Sequence, residues 1–286
     1  VKVQNRNNCP LFGVPNFQSH KNMPELPEVN AKKNHFDQVA LHQKIESVDL
    51  IDTSYILKEI SGPAFAEKLT GRTFTGSYRR GKYFFAEMDN ADHVLFHFGM
   101  SGRFRYYDDP ADQPKYERFA FDFEEGGRLG FDCPRKLARI HYVEDLDAFI
   151  AKKNLGEDAL VLKEADFLEM AKGRKGTIKG FLLNQKYLAG MGNLYVDEVC
   201  WQQGIHPASV MGLLSEEEQR AMFQNMQAIL QKAVALDAVY PDYPEEWLWN
   251  HRDKGGTCPK DGTELQRDKV AGRSTYYCPQ CQELRS

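Results

Sequence analysis

The chain has 286 residues, 42% hydrophobic and 27% charged, which provides for a buried core and excludes wholesale disorder. Its 13 Pro and 22 Gly follow no period, and no run approaches ~18 apolar residues, so collagen-like, low-complexity and transmembrane-helix architectures are excluded. The net charge of −4 argues by itself against a nucleic-acid partner, but Glu144 to Glu169 holds eight acidic and three basic residues while Lys172 to His206 holds five basic and two acidic, so a near-neutral sum can hide a basic face.

Residues 1–22 are polar, lack the apolar segment of a secretory signal, and read as a flexible extension of an intracellular protein. A helix is predicted from near Pro27, with Val29, Phe36, Val39 and Ala40 as its apolar residues. From Ile45 to His141 the pattern is that of strands. Ile45–Leu50 alternates imperfectly, Lys82–Met88 and His93–Phe98 are rich in β-formers, and Arg118–Phe123 alternates strictly before a Gly126-Gly127 turn into Leu129–Phe131. Several short strands separated by turns predict a sandwich or barrel. The acidic stretch after Glu144 reads as a linker with a short helix. Helices are then predicted at Thr177–Gln185, Asn193–Gln203 and Ser215–Leu236, the last opened by a Ser215-x-x-Glu218 capping box. From Gly255 onward the chain reads as loop and hairpin.

Five stretches carry chemistry. In Met23-Pro24-Glu25-Leu26-Pro27-Glu28-Val29, loss of an initiating Met23 would leave Pro24 as a terminal secondary amine. An α-amino group titrates near pH ~8, so a useful fraction is unprotonated at neutrality. Such an amine condenses with a sugar carbon to an iminium that acidifies the neighbouring carbon, and Glu25 lies within reach as a general acid. A plain helix start with Pro and Glu in its first turn is the alternative. Tyr78-Arg79-Arg80-Gly81-Lys82-Tyr83 joins a basic turn to a strand, and Met100 sits in the Gly-flanked turn of His97–Gly102. Ile178–Gln185 leads through Ala189-Gly190-Met191-Gly192 into Asn193, a Gly-rich turn feeding a helix N-terminus whose free amides suit a phosphate, with Lys179 and Asn193 as added donors. Of the six cysteines, Cys9, Cys133 and Cys200 are scattered, whereas Cys258, Cys278 and Cys281 cluster with Asp261 in two short knuckles spaced as in a zinc ribbon or finger. A carboxylate ligand at Asp261 is harder than thiolate and should bind zinc less tightly.

Met-Pro-Glu-Leu-Pro-Glu-Val, followed in order by the other motifs over nearly all of Met23 to Gln282, resembles the formamidopyrimidine-DNA glycosylase and endonuclease VIII family of base-excision repair enzymes. The resemblance implies an α+β multidomain fold: an N-terminal β-sandwich with an N-terminal helix, then a C-terminal helical helix-two-turn-helix domain with a zinc-finger hairpin. The expected divisions are an extension or misassigned start at 1–23, a catalytic domain at 24–148, a linker at 149–171, the helix-two-turn-helix domain at 172–255 and a zinc-finger module at 256–282. It implies Pro24 as Schiff-base nucleophile, Glu25 as proton donor, Lys82 as an aid to β-elimination and Arg273, in the hairpin turn, as a phosphate contact linked to δ-elimination. It implies Met100, Arg135 and Leu137 as the wedge filling the space of a flipped nucleotide, with Tyr116, Arg174, Lys179 and Asn193 as further DNA contacts. Tyr116 replaces a common His, Arg174 a common Lys, Leu137 a common Phe and Cys133 a common Asp. Cys258, Asp261, Cys278 and Cys281 would hold one structural Zn2+, with Asp261 in place of the fourth Cys.

The expected function is that of a monomeric glycosylase and AP lyase on damaged double-stranded DNA, located in the cytoplasm or nucleoid with no membrane partner. Oxidised purines of the formamidopyrimidine or 8-oxoguanine type are the first expectation and oxidised pyrimidines the alternative. The stretch from Val239 to Thr257 departs from the region that often closes over oxidised guanine. Retention of the extension, by keeping the Pro24 nitrogen an amide, would instead leave a catalytically inactive binder of damaged DNA.

Overall fold

A computed structural model describes residues 23–286; the extension expected at 1–22 lies outside the described residues. Helix α1 (Leu26–Ala40) starts where Pro27 can occupy the first turn without losing a hydrogen bond. The Glu28 carboxylate accepts the backbone N–H of Glu25 at 2.8 Å and so satisfies an amide that the helix cannot. The buried face of α1 is anchored by Phe36, whose ring meets those of Phe74, Phe84 and Phe104 at 5.0, 4.9 and 5.4 Å.

The strands are β1 (Ile45–Leu50), β2 (Leu57–Lys58), β3 (Phe74–Arg80), β4 (Tyr83–Met88), β5 (His93–His97), β6 (Arg103–Tyr107), β7 (Glu117–Phe123), β8 (Arg128–Asp132) and β9 (Arg139–Val143), with helix α2 (Gly62–Leu69) between β2 and β3. They form two sheets, β1-β7-β8-β6 and β2-β9-β5-β4-β3, antiparallel throughout except for the β2–β9 pair. The strict alternation of β7 sends Phe119, Phe121 and Phe123 into the layer between the sheets, where Phe84, Phe96 and Phe131 meet them. The opposite face of the second sheet is covered by helix α3 (Leu146–Lys153), through Phe149 on Phe85 and His141.

Two readings change. Arg79 and Arg80 belong to β3, and the turn is Gly81-Lys82; the arginines can lie in a strand because the later chain supplies buried partners. The acidic stretch after Glu144 holds two helices, α3 and α4 (Glu164–Ala171), and Phe167 of α4 packs on Phe181 and Phe223 inside the helical half. That half contains α5 (Ile178–Leu182), α6 (Asn193–Gln202) and α7 (Glu216–Ala235), with the two-residue strands β10 (Glu157–Asp158) and β11 (Leu188–Ala189) paired in parallel. The capping box of α7 is formed: Ser215 N–H donates to Glu218 at 2.8 Å and Glu218 N–H to Ser215 Oγ at 3.2 Å. Strands β12 (Gln266–Val270) and β13 (Arg273–Tyr277) make the terminal hairpin, with Ala271 and Gly272 both at positive φ as a two-residue turn requires. Among the described residues no helix is long and apolar enough to cross a membrane.

The two halves are clamped at Asp158. Its buried carboxylate pairs with the buried Arg79 guanidinium (3.1 Å to Nη2) and accepts Gly81 N–H at 2.6 Å and Leu160 N–H at 3.1 Å. Arg80 donates to the Gly156 carbonyl at 3.0 Å. Gly81, at φ +59°, lies so close to β11 that a Cβ would fall 2.9 Å from Ala189 Cβ and from Gly190 N. Asp158→Asn would leave Arg79 charged, buried and without its counter-charge, and should cost about 3 kcal/mol of stability in urea unfolding.

Candidate active site

Three stretches far apart in sequence meet at the start of α1. Leu26 N–H donates to the Gly190 carbonyl at 3.1 Å, which seats the helix on the Gly-rich turn. Next to it the Glu25 carboxylate accepts the backbone N–H of Leu194 at 2.9 Å and of Tyr195 at 3.5 Å, at the N-terminus of α6. Gly192 is required here, because a Cβ would stand 2.1 Å from Glu25 Cδ. Two of the amides expected to be free for a phosphate are therefore taken by Glu25.

Burial pushes the Glu25 carboxyl up to about 7; the charge of Lys82 draws it down, Glu28 raises it, and the two amides lower it. A group so placed carries a proton for much of the time at neutral pH. Lys82, in the β3–β4 turn, is lowered by burial, supported by Glu25 and Glu28, and further lowered by Arg273. The hairpin thus brings Arg273 close enough for its charge to be felt by Lys82. Pro24, half-buried, precedes Glu25 directly. Of the expected catalytic residues, Glu25, Lys82 and Arg273 share one electrostatic neighbourhood, and Pro24 is covalently bound to it.

The expected wedge residues also come together. Gly99, at φ +61°, has no room for a Cβ, which would meet the Leu137 backbone at 2.4 Å, and Arg135 N–H donates to Ser101 Oγ at 3.2 Å. The turn bearing Met100 therefore lies directly on the loop bearing Arg135 and Leu137. Arg135 and Leu137 are exposed and Met100 half-buried. Tyr116 is exposed at the same edge; its carbonyl accepts Cys133 N–H at 3.0 Å and its ring faces the Arg118 guanidinium. Cys133 is fully buried beneath this loop, so its place is in packing.

One expected DNA contact lies elsewhere. The Lys179 side chain is fully buried in an ion pair with Asp197 and also approaches the Ser274 carbonyl at 3.4 Å. Burial lowers its pKa and Asp197 raises it. A phosphate outside cannot reach it, so Lys179 is a structural cation, which corrects the expectation. Arg174, half-buried, donates to the Met170 carbonyl at 2.6 Å and Tyr187 OH at 2.8 Å with its guanidinium over the Tyr187 ring. Asn193, half-buried, donates through Nδ2 to the Ser274 carbonyl at 2.9 Å, so it helps to hold the hairpin beneath α6. Arg252 and the backbone N–H of Tyr276 complete Asp197's contacts, at 2.7 and 3.2 Å.

Around Glu28, itself the second acidic position of the Met23–Val29 motif, several partners escape a reading of the sequence. Glu28 accepts Tyr195 OH at 2.6 Å and Tyr240 OH at 3.0 Å, and Tyr195 and Tyr243 share a hydroxyl contact at 2.6 Å. The Tyr240 and Trp249 rings lie 4.2 Å apart, and buried Glu198 accepts the N–H groups of Leu248 and Trp249 at 3.3 and 3.0 Å, which folds the stretch after Val239 onto α6. The stretch stands out in the sequence as a departure, and its four aromatics within residues 240–249 are the signal for its packing. Asp158 and Asp197 carry no such signal.

At the C-terminus, ligand atoms of Cys258, Asp261, Cys278 and Cys281 lie within 4.8 Å of one another. The Cys258 and Cys281 sulfurs are 3.7 Å apart and the Cys278 sulfur is 3.3 Å from Asp261 Oδ2. Tetrahedral zinc with ~2.3 Å Zn–S bonds has S···S edges of ~3.8 Å, so the donor set fits one structural zinc. Trp201 Nε1–H and Cys281 N–H donate to the Cys258 and Cys278 sulfurs at 3.3 and 3.4 Å, as hydrogen bonds that support thiolate ligands do.

Residues 23–140, 155–241 and 255–284 match, respectively, the families described as formamidopyrimidine-DNA glycosylase N-terminal domain, formamidopyrimidine-DNA glycosylase H2TH domain and zinc finger found in FPG and IleRS. The chain is 31% identical to the formamidopyrimidine-DNA glycosylase of Arabidopsis thaliana, over 92% of this chain and 71% of that one, and 31% identical to that of Ligilactobacillus salivarius, over 92% and 100%. Among solved structures, the Lactococcus lactis formamidopyrimidine-DNA glycosylase non-covalently bound to DNA containing an AP site superposes with a TM-score of 0.82 at 30% identity, over 91% of this chain and 99% of that one. The same enzyme in complex with FAPY-dG-containing DNA gives 0.81 at 29%, over 91% and 100%. With its sheet domain, its helical domain and its zinc-finger hairpin all matched in order, the chain belongs to the formamidopyrimidine-DNA glycosylase family.

Proposed function

We propose that this chain is a base-excision repair DNA glycosylase with AP-lyase activity, acting inside the cell on oxidised purines of the formamidopyrimidine and 8-oxoguanine type in double-stranded DNA. The observation that carries the reading is a buried Glu25 beside Pro24, its carboxyl pushed up to about 7 and within the field of Lys82, with Arg273 brought to the same place by the hairpin. The relatives' names and the FAPY-dG and AP-site DNA in the L. lactis complexes support the lesion class.

The damaged nucleotide must leave the stack before its glycosidic carbon can be attacked. Met100, Arg135 and Leu137, gathered at one exposed edge, would fill the space it leaves; an unbranched apolar side chain suits this because it demands no particular sequence. The Pro24 nitrogen, released from residues 1–23, forms a bond to C1′ as the C1′–base bond breaks and the base departs with the electron pair. Glu25 gives its proton to the sugar ring oxygen, and the opened sugar is held as an iminium. The cationic nitrogen acidifies C2′: the C2′ proton is lost, its electron pair forms the C1′–C2′ double bond of an enamine, and the 3′-phosphate leaves with the C3′–O pair as C2′=C3′ forms. Loss of the C4′ proton of the resulting conjugated iminium then expels the 5′-phosphate with the C5′–O pair. Lys82 and Arg273 would neutralise the phosphates being expelled. Zinc, held by Cys258, Asp261, Cys278 and Cys281, supplies the rigid knuckle from which the Arg273 hairpin projects.

The protein beginning at Pro24 should be trapped by borohydride as a covalent adduct with AP-site DNA, whereas Pro24→Gly should slow lyase turnover strongly and a form retaining residues 1–23 should give no adduct. An adduct of the retained form would rule out the nucleophile. The reaction needs Glu25 as the acid, a form depleted above pH about 7, and Pro24 as the free amine, a form depleted below pH ~8. Single-turnover excision should therefore peak between these values and fall on both sides. Glu25→Gln should lower it ~10²–10⁴-fold and abolish the alkaline limb. Asp261→Cys should retain zinc against a competing chromophoric chelator at concentrations that strip the native protein, because thiolate is the softer ligand.

A further inference from the structure

We propose that Tyr55 is a further DNA-contacting residue, an aromatic platform that lengthens the edge formed by Met100, Arg135 and Leu137 and stacks on a base left exposed at the lesion. The inference rests on the proposed action on damaged duplex DNA.

Tyr55 is 79% exposed, more than any other large apolar side chain among the described residues. Its backbone is also in the left-handed region, at φ +69°, where a bulky L-residue is strained. Of the positive-φ residues other than glycine among those described, Tyr55 carries the bulkiest side chain, and its ring stays in solvent. Backbone strain of this kind clusters where a segment meets a ligand.

The loop that carries Tyr55 is fastened to the Arg135–Leu137 loop. The Asp52 carboxylate pairs with Lys136, which lies between Arg135 and Leu137, and also with Arg118 at 3.0 Å. Lys136 Nζ donates to Ser54 Oγ at 3.2 Å, and Ser54 Oγ donates to Asp52 Oδ1 at 2.6 Å. Lys58 Nζ donates to the Tyr55 carbonyl at 2.8 Å, holding the strained residue from its other side. Ile140 N–H donates to the Ile56 carbonyl at 2.8 Å, and β2 pairs in parallel with β9 with Leu57 opposite Ile140. Tyr55 sits in the turn that leads directly into this pairing. The occupant is thus the duplex that the Met100–Leu137 edge would engage, because the tyrosine continues that edge on a loop bound to it.

The chemistry of the contact is stacking. Every unpaired base presents a π-face, and a Tyr ring offers rigid area with few torsions to fix while its hydroxyl stays in water. Leu137 at the adjoining position can supply only aliphatic contact.

The test is fluorescence anisotropy with two duplexes of one sequence, one carrying a tetrahydrofuran abasic-site analogue and one undamaged. Tyr55→Ala should weaken binding of the tetrahydrofuran duplex about tenfold, Tyr55→Phe should stay within about twofold, and affinity for undamaged duplex should be unchanged in both. Tyr55→Gly should raise the melting temperature, because glycine accepts the positive φ, and still weaken binding as the Ala variant does. Val161→Ala, at an exposed apolar position elsewhere, should change nothing. The inference is overturned if Tyr55→Ala binds like the native protein, if it weakens both duplexes equally, or if Tyr55→Gly keeps native affinity. If the native protein itself shows no preference for the tetrahydrofuran duplex, the proposed function falls first and this inference with it.

Discussion

The contact on which the site depends is the Glu25 carboxylate at the N-terminus of α6, made between residues 169 positions apart. It joins the start of the first domain to the helix that organises the second. A helix N-terminus ordinarily stabilises a carboxylate as an anion. Enclosure of this one in protein opposes that effect and wins, leaving an acid near 7 in a place where water has little access. The packing that makes this possible leaves no room for a side chain at Gly192 or Gly190, where a Cβ would strike Glu25 and Leu26. The glycines of this turn are thus spacers for a proton donor as well as turn formers.

A second buried charge arranges the rest. Asp197 collects Lys179, Arg252 and the Tyr276 amide in the interior, and the Ser274 carbonyl takes Lys179 and Asn193. The terminal hairpin is therefore tied to α5 and α6 by a charge network whose members would be costly to separate. Its far end is set by the metal knuckle, with Trp201 of α6 bonded to a ligand sulfur. Held at both ends, the hairpin presents Arg273 to Lys82, and Asp158 holds the opposing turn by its Gly81 amide. Two acidic residues with no part in bond making thus fix the distance between two cations that the proposed chemistry would use.

The exposed edge is built on a different principle. Its side chains are held by backbone contacts and ion pairs beneath them, as in the seating of Gly99 on Leu137 and of Asp52 under Lys136, while the chemically distinctive groups stay in water. An interior organised by buried charges and a rim organised by surface pairs serve different needs. A proton donor requires dehydration, whereas a wedge requires access.

Residue order alone determined much of this protein. The alternation of Phe119, Phe121 and Phe123 announced a sandwich strand, Ser215-x-x-Glu218 announced the start of α7, and Pro24-Glu25, Lys82, the Gly190–Asn193 turn and the Cys258–Asp261 and Cys278–Cys281 knuckles were each visible as short motifs, because their information lies within a few neighbouring residues. What only the tertiary structure decided is which donors face outward. Lys179 reads as a phosphate ligand until Asp197 claims it, and the first α6 amides until Glu25 occupies them. The acidic stretch that reads as a linker hides Asp158, the clamp between the domains. The physical reason is common to all of these. The state of a charged or polar group is set by its partner and its burial, and both come from chain segments tens to hundreds of residues away that no local pattern encodes.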